Sequence, residues 1–233
     1  MKIKICGITL IEDAILASKL GAWAVGFVFV KSSPRYIEPE KASKIINNLP
    51  ENLEKVGVFV NSSAEEIKNI RKLTGITKIQ LHGDETAEFC SELSELNIPV
   101  IKALRIKNEN DLNVISQYEG KVFAVLLDAH SDTEYGGTGK SFDWNILLKA
   151  KSYNIPIILA GGINSSNIEE ALKLKPYAID ISSGVEKNKG IKDHQKMTEI
   201  FVKDSEKNSF GAAFASPKEF LQTASNDPTI IEF

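Results

Sequence analysis

Short apolar runs alternate with longer amphipathic segments along most of this chain. The runs are rich in Val and Ile and contain few polar residues, which is typical of strands buried on both faces of a parallel sheet. We therefore predict eight strands, over residues 2–6, 24–30, 55–60, 78–82, 99–105, 122–128, 156–160 and 177–182.

The segments between the strands place apolar residues at helical spacing and predict helices. Pro39 suits a first helical turn, and Ser63 with Glu66 fits a capping box. Gly21 and Gly75 follow apolar-periodic segments, as helix-ending glycines do. The clearest predicted helices cover residues 10–20, 39–49, 64–73, 85–96 and 165–174.

Eight strands separated by helices indicate an α/β fold with parallel pairing and right-handed crossovers. We predict a single (β/α)8 TIM barrel over residues 1–206, followed by a C-terminal extension over 207–233 to which we assign no role. The alternative is a doubly wound open sheet. Its dinucleotide-binding version is weakened because no Gly-x-Gly-x-x-Gly follows the first strand.

Composition narrows the classes of function. A formal net charge of -3 gives no reason to expect a nucleic acid or a membrane surface as partner. No apolar run approaches the roughly 20 residues that a membrane-spanning helix needs. The first residues already alternate as a strand and lack the apolar core of a secretory signal, so we expect a cytoplasmic protein.

Cysteine and histidine usage excludes two kinds of site. Two cysteines, Cys6 and Cys90, are too few for a disulfide framework. The three histidines lie far apart in the sequence, and no Cys/His pair has the spacing of metal ligands. We therefore predict no metal site.

Polar residues at the carboxyl ends of the predicted strands are the candidates for chemistry, because active sites of such barrels lie on the loops that follow the strands. Glycine pairs in these loops allow backbone N–H groups to approach an anion such as phosphate. The candidates are Cys6, Arg35, His82, Asp128, Gly161 with Gly162, and Ser183 with Gly184.

Each candidate also has a structural interpretation. Most free cysteines are small buried apolar residues, which is the alternative for Cys6. Asp128 could cap a helix, Arg35 could be a surface arginine, and His82 could close a strand. The glycine pairs could simply form tight turns that require their backbone freedom.

The motifs around these residues resemble the phosphoribosylanthranilate isomerase family over about residues 1–203. Cys6 after the first strand, combined with Asp128 and the GGTG loop after the sixth, is the most specific part of the resemblance. The matching segments, in the family's order, are KICGIT at 4–9, GFVFVKSSPRYI at 26–37, VGVFVN at 56–61, QLHGDE at 80–85, LLDAHSDTEYGGTGKSFDW at 126–144, ILAGGI at 158–163 and DISSGVE at 180–186.

The resemblance implies an Amadori rearrangement in tryptophan biosynthesis. N-(5-phosphoribosyl)anthranilate would become 1-(2-carboxyphenylamino)-1-deoxyribulose 5-phosphate, without metal or coenzyme. Asp128 would be the general acid that opens the furanose ring, and Cys6 the general base that removes the C2 proton. A free thiol has a pKa of about 8.5 and a free Asp of about 3.9. These roles therefore require backbone dipoles or cationic groups that lower the thiol pKa, and burial that raises the carboxyl pKa.

The resemblance also assigns binding roles. Arg35 would face the anthranilate carboxylate, a task that suits a planar guanidinium. His82 would line the pocket, and the 131–140 loop would cover the bound substrate or be a plain surface loop. The remaining binding residues would be Gly137, Thr138 and Gly139 in that loop, with Gly161, Gly162, Ser183 and Gly184 for the phosphate.

Two rival functions stay open at this point. The histidine-pathway barrel isomerase runs the same rearrangement on another substrate, but that family looks to use aspartate where this chain has Cys6. A non-catalytic barrel that binds a phosphorylated metabolite would keep the phosphate loops without needing Cys6 to face Asp128. In each case the expected partner is a small phosphorylated molecule, and the protein is expected to be a monomer or a homodimer.

Overall fold

The structure, a computed structural model, describes residues 1–95, 97–128 and 146–208. Eight parallel strands close into a barrel in chain order, and the last strand pairs with the first. The predicted (β/α)8 barrel is therefore confirmed, and the open sheet is excluded. The strands are β1 (Ile3–Cys6), β2 (Ala24–Val28), β3 (Glu54–Phe59), β4 (Lys78–Leu81), β5 (Val100–Arg105), β6 (Ala124–Asp128), β7 (Ile157–Ala160) and β8 (Ala178–Ile181).

Helices cover the outside of the barrel. The Ser63 hydroxyl accepts a hydrogen bond from the Glu66 N–H, and Gly75 adopts a left-handed conformation that ends the same helix. Ser63 and Gly75 therefore cap the helix as the sequence predicts, but the reciprocal bond of the capping box, from the Ser63 N–H to the Glu66 side chain, is absent among the described residues. The helices are α1 (Ile11–Lys19), α2 (Pro39–Ile46), α3 (Ala64–Thr74), α4 (Ala87–Glu95), α5 (Ile146–Ala150), α6 (Ile168–Lys173) and α7 (His194–Asn208).

Three connections differ from regular helical units. A 3-10 helix, Glu109–Tyr118, follows β5 in place of an α-helix. Helix α6 begins three residues later than predicted, because the side chains of Asn164 and Asn167 hold the preceding segment in a turn. After β8, a hairpin of two short strands, β9 (Glu186–Asn188) and β10 (Ile191–Lys192), precedes α7.

The strands separate two apolar layers. Their outward side chains pack against the helices in the main core, while the barrel interior is filled by small and branched residues such as Ala24, Val56 and Ile158. Five buried polar side chains lie in the barrel strands: Lys55 and Lys102 are at outward positions, whereas Lys4, Gln80 and Asp180 interrupt the apolar packing of the interior. Buried polar groups require partners, so these positions single out places where the interior does more than pack.

An aromatic cluster closes the amino-terminal end of the barrel. The Tyr177 ring meets Trp23 and Phe123 edge-on, at centroid distances of 5.9 and 5.7 Å. The Lys2 ammonium donates to the Tyr177 hydroxyl at 2.7 Å and lies 3.9 Å from the ring centroid. Lys78 lies 5.0 Å from the Phe123 centroid. Packing of this kind stabilises the end of the barrel opposite the carboxyl ends of the strands.

Two predicted features lie outside the described residues. The 131–140 loop, with Gly137, Thr138 and Gly139, is one of them, and residues 209–233 of the predicted extension are the other. Within the described ranges, no helix combines the length and apolar character needed to cross a membrane.

Candidate active site

A cavity of about 590 Å³ opens at the carboxyl ends of the barrel strands. Its walls are formed by the ends of the strands and by the loops after β2, β7 and β8, where the sequence predicts chemistry. Seven of the predicted residues line it together: Cys6, Arg35, His82, Asp128, Gly161, Gly162 and Ser183.

Cys6 ends β1 and is 7% exposed, with its side chain at the edge of the cavity. Burial raises the pKa of its thiol, and the charge and hydrogen bond of Lys4 oppose this effect. Asp180 adds to the rise and Lys192 opposes it, but burial dominates and the pKa stays above its usual value. The base role needs a lowered thiol pKa, and here the lysines do not outweigh desolvation.

Lys4, Asp180 and Gln80 form a polar network below Cys6. The Lys4 ammonium is fully buried and donates to the Asp180 carboxylate at 2.8 Å and to the Gln80 side-chain carbonyl at 3.0 Å. Asp180 Oδ1 is buried without a hydrogen-bond partner among the described residues, and both Asp180 and Gln80 line the cavity. An acceptor without a partner at the cavity wall is suited to a donor from a bound molecule.

Asp128 ends β6, three strands from Cys6 around the barrel. Its Oδ2 lies 3.2 Å from Nε2 of His82, which follows β4. Both side chains are partly exposed to the cavity. This contact fixes the direction of the carboxyl group and places an imidazole beside it.

Arg35 is held by a bidentate ion pair. Its Nε and one terminal nitrogen donate to the two carboxylate oxygens of Glu186, at 2.7 and 2.8 Å. Lys192 Nζ lies 3.1 Å from the same carboxylate. Burial raises the pKa of Glu186, but hydrogen bonds and charge from Arg35 and Lys192 hold it below its usual value. The group thus carries two cations for one carboxylate, and no acceptor among the described residues binds the other terminal nitrogen of Arg35.

The approach of Arg35 to β1 depends on Gly7. A Cβ at this position would lie 2.6 Å from Cδ of Arg35 and 3.2 Å from Oγ of Ser182. The backbone of Gly7 also has a φ of +78°, which side-chain-bearing residues rarely adopt. Gly7 therefore lets the arginine stem cross directly above the end of β1.

The loops after β7 and β8 present free backbone donors. Within the described part of the chain, the N–H groups of Gly161, Gly162 and Ser183 donate to no protein acceptor. Gly161 and Gly162 have φ values of +92° and +66°, so the turn itself needs glycine. Gly184 packs against the backbone of Ile163, where a Cβ would overlap the carbonyl oxygen. Free N–H groups converging at one cavity are suited to an anion.

Sequence analysis misses several lining residues, including Gln80, Asp180, Ser182 and Lys189. A signal for the first two exists, because each interrupts an apolar strand at a position facing the barrel interior. Lys189 lies in the β9–β10 hairpin, which the sequence pattern does not predict. The described residues contain no group of three or more His, Cys, Asp or Glu side chains placed to hold a metal ion.

Comparison with known proteins gives a consistent result. Residues 3–203 match the family model of N-(5'-phosphoribosyl)anthranilate isomerase. The isomerase of Gloeothece citriformis is 47% identical over 204 residues, covering 86% of this chain and 92% of that protein. The isomerase of Thermotoga neapolitana is 46% identical over 204 residues, covering 87% and 98%.

Solved structures similar to this chain belong to the same family. The phosphoribosyl anthranilate isomerase of Thermotoga maritima superposes with a TM-score of 0.81 at 41% identity, covering 89% of this chain and 99% of that one. A second isomerase structure was solved in complex with reduced 1-(o-carboxyphenylamino)-1-deoxyribulose 5-phosphate. It has a TM-score of 0.79 at 38% identity and covers 88% of this chain and 99% of its own.

Proposed function

Because this chain belongs to the N-(5'-phosphoribosyl)anthranilate isomerase family and is an isomerase of tryptophan biosynthesis, we propose that Cys6 and Asp128 carry out its acid–base chemistry. The observation that carries this proposal is that the two side chains line one cavity from strands on different sides of the barrel mouth. An acid and a base placed in this way can act on two atoms of one bound sugar.

The first step is ring opening. Asp128 protonates the furanose ring oxygen while the nitrogen lone pair forms a double bond to C1, so that the C1–O bond breaks and an iminium forms. His82, 3.2 Å from the Asp128 carboxylate, supports this carboxyl group in position. A general acid within hydrogen-bonding reach contributes roughly 10²- to 10⁴-fold to such a step.

The second step is removal of the C2 proton. The C2–H bond breaks, the proton moves to the Cys6 sulfur, and the electron pair forms the C1–C2 double bond as the C=N pair returns to nitrogen. The resulting enolamine then tautomerises to the ketone. Since the substrate nitrogen accepts the electron pair, the protein has to supply only the acid and the base.

Substrate binding uses both sides of the cavity. The open edge of the Arg35 guanidinium donates to the anthranilate carboxylate, while Glu186 keeps the other edge in place. The free N–H groups of Gly161, Gly162 and Ser183, together with that of Gly184, bind the phosphate. The bound molecule in the related complex carries both a carboxyphenyl and a phosphate group, which supports this division.

The role of the 131–140 loop, the cellular location and the oligomeric state are proposed from the family. Gly137, Thr138 and Gly139 in the 131–140 loop cover the bound substrate and exclude water. The enzyme works in the cytoplasm, with a small phosphorylated substrate as its partner. The related Thermotoga maritima enzyme is dimeric, and for this chain we keep monomer or homodimer as alternatives. A regulatory, non-catalytic barrel is not favoured, because the relatives from Gloeothece citriformis and Thermotoga neapolitana are named as isomerases.

Replacement of each acid–base residue tests the proposal. We expect Cys6→Ser and Asp128→Asn each to lower kcat by about 10²-fold or more, because each removes a general base or acid. Turnover is measured from the fluorescence of the anthranilate-linked substrate. The matched controls are Cys90→Ala in α4 and Asp84→Asn on the exposed loop after β4, and both should keep near-normal kcat. Near-normal turnover of Cys6→Ser or Asp128→Asn would refute that residue's role.

A further inference from the structure

Lys4 and Cys6 occupy the same face of β1. They are two residues apart, so both side chains point into the barrel, while Ile3 and Ile5 pack outward. Neighbouring Gly26 on β2 leaves room for them. A Cβ at this glycine would lie 2.7 Å from the Cys6 sulfur and 3.2 Å from Cε of Lys4. The sulfur and the end of the lysine chain therefore share one small space.

The Lys4 ammonium is fixed in that space by two acceptors. Asp180 on β8 and Gln80 on β4 accept two of its three protons, at 2.8 and 3.0 Å. Burial lowers the pKa of Lys4, but the charge of Asp180 and contacts with Cys6 outweigh it and raise the pKa. The group therefore stays an ammonium at neutral pH, and its third proton is available to the sulfur.

We propose that Lys4 is a positioning residue for the isomerisation: its buried ammonium orients the Cys6 sulfur and stabilises the thiolate that removes the C2 proton. Lys4 transfers no proton in this scheme. A fixed cation in a buried site stabilises a neighbouring anion far more than it would in water. This inference deepens the proposed function, because it takes Cys6 as the base.

The other charges that act on Cys6 stabilise its thiolate less than Lys4 does, or oppose it. Asp180 on β8 disfavours the thiolate, and Lys192 on β10 favours it less than Lys4 does. Lys192 and Arg35, from the loop after β2, share the Glu186 carboxylate, which offsets part of their charge. Lys4 is therefore the cation whose removal should change the thiolate most.

Titration of the thiol tests the inference without substrate. The full chain carrying Cys90→Ala is labelled with [13Cβ]cysteine, and the Cys6 signal is followed by NMR from pH 6 to 11. We expect Lys4→Met to move the titration midpoint upward by at least about one pH unit, a tenfold loss of thiolate at a given pH. The matched control is Lys102→Met, which removes another buried lysine, paired with Glu85 at 2.9 Å. It should leave the midpoint unchanged.

A second variant keeps the test decisive if Lys4→Met fails to fold. Asp180→Asn removes the carboxylate that opposes the thiolate and leaves the lysine in place, so the midpoint should move downward. The inference is overturned if Lys4→Met titrates like its parent, if Lys102→Met shifts the midpoint equally, or if Asp180→Asn shifts it upward. A purely structural role for Lys4 would lower stability without these opposite shifts.

The two proposals can fail separately. If Lys4→Met shifts the thiol titration but Cys6→Ser keeps normal turnover, the base role of Cys6 fails, and the inference falls with it. If Cys6→Ser is inactive but the titration does not move, the base role stands and only Lys4 is excluded. Support for both proposals requires the midpoint shift and the loss of turnover in Cys6→Ser. It also requires that kcat of Lys4→Met at neutral pH falls by at least about tenfold, in line with the loss of thiolate.

Discussion

The two ends of this barrel use the same strands for opposite purposes. At the amino-terminal end, Tyr177 packs edge to face with Trp23 and Phe123. The ammonium groups of Lys2 and Lys78 lie over the rings of this cluster. At the carboxyl end, the side chains surround a cavity of about 590 Å³. Within the described part of the chain, an acceptor atom of Asp180 has no partner there and several backbone donors bind no protein acceptor. The polar groups at the amino-terminal end are paired within the protein, whereas those at the carboxyl end are suited to partners from a ligand. Stability and chemistry are thereby separated along the strand axis.

The largest effect expected at the open end concerns the reactivity of Cys6. Its pKa is raised, so the thiol is protonated at neutral pH and the reactive thiolate increases tenfold per pH unit below that pKa. We expect the rate of alkylation by iodoacetamide to rise about a hundredfold between pH 6 and pH 8. Mass spectrometry locates the label.

Two controls accompany this measurement. Cys90, which is fully buried, should stay unmodified, and a phosphorylated product analogue should protect Cys6. A rate that is already constant above pH 6 would show a low thiol pKa and contradict the electrostatic description of this end.

A smaller effect is expected at Arg35, on the rim of the same cavity. Arg35→Ala should raise KM by about tenfold with a lesser change in kcat, because a charge-assisted contact to the substrate carboxylate is lost. Steady-state kinetics give both values. The sharper comparison uses an aniline analogue of the substrate, which lacks the carboxylate. The parent enzyme and Arg35→Ala should bind this analogue equally. If Arg35→Ala and the parent enzyme both bind this analogue more weakly than the substrate, and by the same factor, the carboxylate is not the partner of Arg35.

The smallest effect on activity is expected at the closed end. Tyr177→Ala removes the central ring of the cluster and its hydrogen bond with Lys2. The ring is partly buried, so we expect about 2 kcal/mol less stability, below the range for a fully buried aromatic residue. Urea unfolding measures this, while kcat of the folded variant should stay within about twofold because active sites lie at the other end. Tyr177→Phe, which keeps the ring, should lose less stability. A large loss of kcat would show that the two ends are coupled.

The sequence predicts the barrel and the central part of its site for the same reason. Uninterrupted Val and Ile runs indicate buried parallel strands, and the residue after each run necessarily lies at the carboxyl end. Cys6, His82 and Asp128 are therefore found from their positions alone, and the cavity that they share follows from closure of the barrel.

Other features are not predictable because they depend on distant parts of the chain. The ion pair of Arg35 with Glu186 joins residues 151 positions apart through a hairpin without a clear sequence pattern. The direction of the Cys6 pKa shift depends on how burial compares with charges on three strands, which no local pattern gives. Lys4 and Asp180 had a usable signal, since a charge at an inward position of an apolar strand must have a partner.

Gly26 sets a limit on how this protein can be altered. Glycine is a poor strand residue, and a stability-minded redesign of β2 would replace it first with valine or threonine. The side chain would enter the space that the Cys6 sulfur fills, so the gain in strand propensity would displace the proposed base. In a mutational scan this position should tolerate nothing larger, although it presents no functional group of its own. The absence of a side chain at Gly26 is thus as necessary to the proposed active site as the Cys6 thiol that occupies this space.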